Sequence, residues 1–195
     1  MLHRLCLLVS LGLMASSASA AGQGKLSAAD RKFVEEAAQG GLFEVQAGRL
    51  ASTKASNAEV RAFGERMVAD HGKINDQLQT LTRQLGLTMP TRLNARHQSA
   101  YDKLEKLSGA SFDRGYMTAM VGDHGADVKK FASQANTAVN PSVRNFAKTT
   151  LATLEDHLKQ AKAIDSRLGL GVGGTGALPS PPKTITPPHV PVRRR

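Results

Sequence analysis

The chain has a single cysteine, Cys6, and it lies close to the amino terminus. The rest of the sequence is free of cysteine, so a disulfide within that part is excluded. Any metal ion held there must be bound through nitrogen and oxygen rather than through thiolate. Tryptophan is absent and aromatic residues make up only 4% of the chain, while alanine and leucine are abundant. This composition favours helices packed through small side chains over a β-sandwich.

The first twenty residues are typical of a signal peptide. Arg4 supplies a positive charge, residues 5–14 form an apolar run, and Ala18-Ser19-Ala20 fits a small-residue cleavage site. The apolar run is shorter than the roughly 20 residues that span a bilayer. We therefore expect residues 1–20 to be removed on export, with an uncleaved anchor as the alternative. The mature chain would then have no transmembrane helix, and it would be located in the periplasm or the outer envelope.

Positive charge exceeds negative charge, with 26 lysines and arginines against 16 aspartates and glutamates. Four of these cations lie in residues 169–195, a segment rich in glycine and proline that ends in three arginines. Such a composition cannot maintain a helix or a packed core, so we expect a disordered C-terminal tail. An exported basic tail would meet anionic envelope surfaces rather than nucleic acid. The alternative is a solvated end with no partner.

Apolar residues recur every three or four positions through residues 21–168, which predicts amphipathic helices. Asn57 and Ser142 are placed to cap helix starts, and Gly86 and Asn140-Pro141 are placed to end helices. The predicted helical ranges are 27–53, 57–85, 91–107, 110–138 and 142–168, of which the third is short. Four long helices joined by brief connections predict an all-α, up-down four-helix bundle with an extra short helix between helices 2 and 3.

Two short internal echoes indicate that the bundle is built from related helical hairpins. Residues 67–72 match residues 120–125 at five of six positions, and residues 60–63 match residues 143–146 at three of four. A duplicated hairpin is the simplest organisation that would produce such echoes.

A histidine lies midway along each of the last three long segments, and Glu44 lies at a comparable height in the first. At a rise of about 1.5 Å per residue, antiparallel packing would place Glu44, His71, His124 and His157 in one layer of the bundle. Three imidazoles and one carboxylate are competent ligands for Fe, Mn, Zn or Cu. The sequence therefore predicts a transition-metal site in this layer.

Side chains near these four residues could orient the ligands, because a metal-bound imidazole usually donates its second N–H to an acceptor. Adjacent helical residues point about 100° apart, so an aspartate next to a histidine is expected to serve a histidine of another helix. The candidates for this orienting role are Asp70, Asn75, Asp123, Asp127 and Asp156.

A metal-free arrangement is the competing interpretation of the same layer. Buried polar groups without partners cost about 1–3 kcal/mol each, so the histidines and Glu44 must at least satisfy one another. Catalysis is less favoured than either interpretation. The sequence contains no Glu-x-x-His motif of the di-iron bundles and no recognisable Ser/His/Asp arrangement. An oxidoreductase therefore ranks third.

Several motifs occur in order between residues 26 and 168. They are Gly40-Gly41-x-x-Glu44-Val45, Val60-Arg61-x-Phe63, Met67-Val68-x-Asp70-His71, Phe112-Asp113-x-x-Tyr116, Met120-Val121-x-Asp123-His124 and Leu154-x-x-His157-Leu158. Together they resemble an exported bacterial family, domain of unknown function 4142 (DUF4142). The resemblance implies a ferritin-like four-helix bundle in the cell envelope that shares Glu44, His71, His124 and His157. It implies no reaction.

The sequence thus favours an exported helical-bundle protein that holds a transition metal through a central cluster of Glu44 and three histidines. Metal sequestration or an envelope stress role would follow, rather than turnover. The alternative function is a non-enzymatic envelope interaction protein, in which the cluster is a structural hydrogen-bond network and the basic tail contacts anionic surfaces.

Overall fold

The computed structural model describes residues 24–169, and these form five α-helices. The helices are α1 (Ala28–Lys54), α2 (Ala58–Gln84), α3 (Ala95–Glu105), α4 (Gly109–Thr137) and α5 (Pro141–Gly169). The predicted all-α fold with a short extra helix is confirmed. Within residues 24–169, no helix has both the length and the apolar character needed to cross a membrane. The predicted signal peptide, and the predicted tail beyond residue 169, lie outside the described residues.

The four long helices pack as two hairpins, α1 with α2 and α4 with α5, and α3 lies against α1 and α4. The apolar core is divided into two clusters along the bundle axis. The first core cluster includes Phe43, Phe63, Met67, Phe112, Tyr116, Met120 and Ala161. The second core cluster includes Phe33, Val34, Leu78, Phe131, Phe146 and Leu154. On α2, α4 and α5, a buried histidine lies between the residues of the two clusters, and on α1 Glu44 lies beside Phe43 at the boundary.

Two buried aspartates hold the turns within the hairpins. Asp113, at the start of α4, accepts hydrogen bonds from the backbone N–H groups of Ser56 (3.0 Å) and Asn57 (2.9 Å) in the α1–α2 turn. Asp30, at the start of α1, does the same for Val139 (3.1 Å) and Asn140 (3.0 Å) in the α4–α5 turn. Each hairpin is therefore fixed at its turn by a carboxylate from the other hairpin.

The same hydrogen bonds occur at both hairpin turns, and they show which of the two sequence echoes relates one hairpin to the other. Asp30 and Asp113 are 83 residues apart (113 − 30 = 83), the same separation as between residues 60–63 and 143–146. Arg61 donates to the carbonyl of Ala55, and the residue 83 positions later, Arg144, donates to the carbonyl of Ala138. The hairpins therefore correspond as α1–α2 to α4–α5.

The start of α5 differs from the prediction. Ser142 was expected to cap this helix, but the Oδ1 atom of Asn140 accepts hydrogen bonds from the backbone N–H groups of Ser142 (2.9 Å) and Val143 (3.3 Å). Pro141 is the first helical residue, where its fixed φ suits the helix and its missing N–H is not needed. The cap is therefore the residue before the proline.

Glycines allow α1 and α2 to approach closely. A Cβ atom added to Gly64 would lie 2.7 Å from the Cβ of Ala51 and 2.9 Å from the carbonyl oxygen of Gly48. A Cβ atom on Gly48 would lie 2.7 Å from the carbonyl oxygen of Gly64. Main-chain atoms of a packed helix cannot move aside cheaply, so a side chain at either position would force the helices apart.

This close approach makes the effect of alanine at glycine dependent on position. We expect Gly64→Ala to lower the free energy of unfolding by about 1–3 kcal/mol, because overpacking exceeds the gain in helix propensity. Gly72→Ala, which has nothing within 4 Å of the added Cβ, should raise it by about 0.5–1 kcal/mol. Urea denaturation followed by circular dichroism measures both. Equal effects of the two substitutions would contradict the close packing.

Candidate metal centre

The structure brings the four predicted ligands together in the layer between the two core clusters. Glu44 lies on α1, His71 on α2, His124 on α4 and His157 on α5. All four side chains are buried, with between 0% and 2% of each exposed. The equal heights arise because the short turns fix the ends of antiparallel helices of 27 or 29 residues.

The shortest distance in the cluster joins Glu44 to His71. His71 Nδ1 lies 2.8 Å from Glu44 Oε2, and His124 Nε2 lies 3.4 Å from Glu44 Oε1. The two Nε2 atoms of His71 and His124 are 3.4 Å apart. The ring centroid of His157 is 5.2 Å from that of His71 and 5.3 Å from that of His124. One ring nitrogen of each histidine lies within 4.8 Å of those of the other two.

Hydrogen bonds outside the cluster assign protons to two of the rings. His124 Nδ1 lies 3.1 Å from the carbonyl oxygen of Met120, which can only accept, so Nδ1 carries the proton and Nε2 is a free lone pair in the neutral ring. His157 Nε2 lies 3.1 Å from Asp70 Oδ2. When Asp70 is ionised, His157 Nε2 donates and His157 Nδ1 is left with a free lone pair.

Asp70 is held in the ionised form by its partners. Burial raises its pKa, but hydrogen bonds from His157 and Arg66 outweigh burial and lower the pKa of Asp70 below its ordinary value. Arg66 Nε lies 3.1 Å from Asp70, and its terminal nitrogen lies 2.7 Å from Asp156. Arg66 thus positions Asp70, which in turn fixes the tautomer of His157.

Burial determines the charge of the remaining groups. It raises the pKa of the Glu44 carboxyl to about 8, an effect that the nearby Asp123 charge reinforces and His124 opposes. It lowers the pKa of His71 and of His157 to about 4, and it lowers the pKa of His124 as well. At neutral pH the cluster therefore contains three neutral imidazoles and a protonated Glu44.

In this state a hydrogen-bond chain crosses the cluster. Glu44 Oε2 donates to His71 Nδ1, His71 Nε2 donates to His124 Nε2, and His124 Nδ1 donates to the Met120 carbonyl. Each acceptor in the chain has one donor. Two buried atoms remain outside it, because Glu44 Oε1 and His157 Nδ1 have no hydrogen-bond partner. The cluster is thus a satisfied network with two unused acceptors.

The five residues predicted to orient the ligands occupy different surroundings. Asp70 alone among them hydrogen-bonds to a histidine of the cluster, and it does so across helices. Asp156, half-exposed, contacts Arg66 and Gln160 instead, because it points about 100° away from its neighbour His157. Asn75 donates to the carbonyl of Gly41 at 3.1 Å.

The other two candidates gather around Glu44 rather than around a histidine. One oxygen each of Glu44, Asp123 and Asp127 lies within 4.8 Å of the others. The sequence prediction missed two groups. Arg66 could have been found from its position one turn before Asp70, whereas the Met120 carbonyl is a backbone group that any residue would supply.

The pKa of Glu44 predicts how the stability of the metal-free protein changes with pH. The folded state retains a proton between about pH 4.5 and pH 8 that the unfolded chain has released, so stability falls as pH rises through this window. The histidines do not mask the effect above about pH 7, where they are neutral in both states. Asp127, whose pKa burial raises to about 7, acts in the same direction at lower pH.

We therefore expect the free energy of unfolding, measured in chelator, to decline from pH 7 to pH 8 in the natural chain and to change less in Glu44→Gln. The glutamine amide can donate to His71 Nδ1 as the protonated acid does, which makes it a matched substitution. Urea titrations at both pH values provide the measurement. Parallel pH dependences of the two proteins would show that Glu44 is already ionised at pH 7.

Comparison with known proteins gives a family and a fold. The family described as a domain of unknown function, DUF4142, matches residues 15–164. A crystal structure of a DUF305 fragment from Deinococcus radiodurans is similar, with a TM-score of 0.64 and 13% sequence identity over 73% of this chain and 98% of that chain. At that identity the likeness concerns the helical fold alone. No curated protein matches the sequence. The match to the family spans most of the chain, and the protein therefore belongs to the DUF4142 family.

Proposed function

We propose that the protein binds one transition-metal ion between His71, His124, His157 and Glu44, and that it holds this ion rather than using it for turnover. The observation that carries the proposal is His157 Nδ1, a buried acceptor with no hydrogen-bond partner on a ring beside two other imidazoles. A buried acceptor left unpaired costs about 1–3 kcal/mol. A cation between the three rings would use this lone pair.

The hydrogen bonds around the cluster also determine which atoms of the other ligands are free to bind a cation. The Met120 carbonyl keeps the proton of His124 on Nδ1, so Nε2 faces the cluster with a lone pair. If Glu44 gives up its proton, its Oε2 atom accepts from His71 Nδ1 and the Nε2 atom of His71 becomes free as well. A cation would then take the place of one proton of the hydrogen-bond chain. The resulting donors are three imidazole nitrogens and the free oxygen Glu44 Oε1.

This set of donors restricts the kind of metal. Imidazole nitrogen with one carboxylate suits Zn, Cu, Fe and Mn, and the general order of affinities places Cu²⁺ and Zn²⁺ above Fe²⁺ and Mn²⁺. The hydrogen bonds that Asp70 and Met120 receive from the second ring nitrogens of His157 and His124 are those that metal-bound histidines usually make.

The space around the cluster favours retention of an ion over catalysis. The cavity lined by Glu44, His71 and Asp127 has a volume of about 10 Å³, which is near the minimum for one water molecule. A substrate would not fit there. We therefore infer a sequestration role, and the signal-peptide pattern of residues 1–20 would place that role in the cell envelope.

Metal analysis tests the proposal directly. Zn²⁺ or Cu²⁺ added to the full, tag-free chain and followed by desalting should leave about one equivalent bound, because a tetrahedral site of four protein ligands holds one ion. The His71→Ala/His124→Ala double variant should lose it, while His189→Ala, which removes a histidine elsewhere in the sequence, should retain it. Circular dichroism verifies that each variant is helical.

A natural chain that binds none of Zn²⁺, Cu²⁺, Fe²⁺ and Mn²⁺ would overturn the proposal. The cluster would then be a structural hydrogen-bond network that runs from Glu44 to Met120. Retention of the ion by the double variant would place the bound metal elsewhere.

Asp70 should tune the affinity without contributing a ligand. We expect Asp70→Asn to weaken metal binding by roughly 10–100-fold, since the amide no longer fixes which nitrogen of His157 is protonated. The matched control is Asp156→Asn, which removes the other carboxylate from Arg66 but does not touch a histidine. Competition with a chromogenic chelator gives both dissociation constants. Equally weakened metal binding in the two variants would show that the effect comes from the loss of a carboxylate partner of Arg66, and not from the tautomer of His157.

A further inference from the structure

Three carboxylates meet beside the histidine cluster, on the side that faces α3. One oxygen atom from each of Glu44, Asp123 and Asp127 lies within 4.8 Å of the others. Asp123 and Asp127 are one turn apart on α4 and therefore lie on the same face of that helix. Glu44 reaches them from α1. The three oxygens come from two helices whose separation is fixed by the packing of the bundle.

Two partly exposed aspartates one turn apart would be an ordinary acidic pair, and Glu44 makes this group different. Its side chain is only 1% exposed, and its Oε1 atom has no hydrogen-bond partner. Asp123 Oδ2 is also a buried oxygen atom without a hydrogen-bond partner. Burying several acceptors together without a donor is unfavourable, and a cation among them would remove that cost.

A pocket open to solvent is lined by two of the three carboxylates, Asp123 and Asp127. It has a volume of about 180 Å³ and lies between α1, α3 and α4, with Gln39, Asn94, His97, Asp123 and Asp127 among its lining residues. The lining is polar, as expected for a hydrated entrance. The cavity lined by Glu44, His71 and Asp127 is far smaller, at about 10 Å³. Asp123 and Asp127 therefore line an open pocket, whereas Glu44 lines the small cavity.

The pocket contains cationic side chains, but they leave the acidic group incompletely neutralised. Lys130 Nζ lies 3.7 Å from Asp127 Oδ1 and 3.0 Å from Glu36 Oε2, so its charge is shared with a second carboxylate outside the group. Arg96 also lines the pocket, without an ion pair to Asp123 or Asp127 among the described residues.

From this arrangement we infer a second cation site, formed by oxygen atoms of Glu44, Asp123 and Asp127 and reached through the pocket beside α3. Carboxylate oxygens select hard divalent cations such as Mn²⁺, Mg²⁺ or Ca²⁺. Glu44 belongs to both sites: its Oε2 atom contacts His71, and its free Oε1 atom would be shared by the two cations. The inference rests on the proposed function only for this shared residue, since the oxygen group does not require the histidines.

Manganese is the probe of choice, because free Mn²⁺ has a strong paramagnetic resonance spectrum that diminishes on binding. The full chain is first given one equivalent of Zn²⁺ to occupy the histidines and is then titrated with Mn²⁺. We expect one Mn²⁺ equivalent to bind. Asp123→Asn/Asp127→Asn should weaken Mn²⁺ binding by about tenfold or more, because the charge of the ligands sets the affinity of such sites.

The matched control is Asp76→Asn/Glu155→Gln, which removes two exposed carboxylates from α2 and α5 and should leave Mn²⁺ binding intact. Circular dichroism and thermal melting check the fold of both double variants. If Asp123→Asn/Asp127→Asn fails to fold, Asp123→Asn alone removes the aspartate whose oxygen has no partner.

The possible outcomes separate this inference from the proposed function. Loss of Mn²⁺ binding in the Asp123/Asp127 variant but not in the control supports the oxygen site, whether or not the histidines hold Zn²⁺. Undiminished Mn²⁺ binding in that variant, or no Mn²⁺ binding by the natural chain, overturns the oxygen site. One Zn²⁺ equivalent retained by the Asp123/Asp127 variant leaves the histidine site standing in either case.

Discussion

The structure depends on the burial of the Glu44 carboxyl at the centre of the bundle. A buried carboxyl needs hydrogen-bond partners or a cation, because leaving it unpaired costs about 1–3 kcal/mol or more. His71 of α2 supplies that pairing, His124 of α4 continues the hydrogen-bond chain, and the Met120 carbonyl ends it. With His157 from α5, every long helix contributes one polar side chain to a single layer. The apolar core consequently divides into two clusters, one on each side.

The two hairpins share a scaffold but place different residues at some equivalent positions. The 83-residue offset that relates their turns also relates Glu44 to Asp127 (127 − 44 = 83), and both carboxylates lie in the middle layer. The same offset relates Gly41 to His124 (124 − 41 = 83), so a histidine in one hairpin corresponds to a glycine in the other.

Much of this fold could be predicted because its signals are local. Apolar periodicity and caps define each helix, and helix rise alone gives the common height of Glu44 and the three histidines. The cap of α5 was misplaced at Ser142, although Pro141 marks Asn140 as the capping residue. The surroundings of Asp156 could not be predicted, because they depend on the rotation of α5 about its axis. The pocket beside α3 could not be predicted from the sequence either, since it depends on how a short helix packs against α1 and α4.

The most direct test of the account is nuclear magnetic resonance of the histidine side chains, with long-range correlation of ring nitrogens and carbon-bound protons. In the metal-free protein near pH 7, we predict protons on His71 Nε2, His124 Nδ1 and His157 Nε2. One equivalent of Zn²⁺ should move the His71 proton to Nδ1 and shift His71 Nε2, His124 Nε2 and His157 Nδ1 to metal-bound frequencies. Ring spectra that do not change with excess Zn²⁺ would contradict the account and leave a hydrogen-bond network alone.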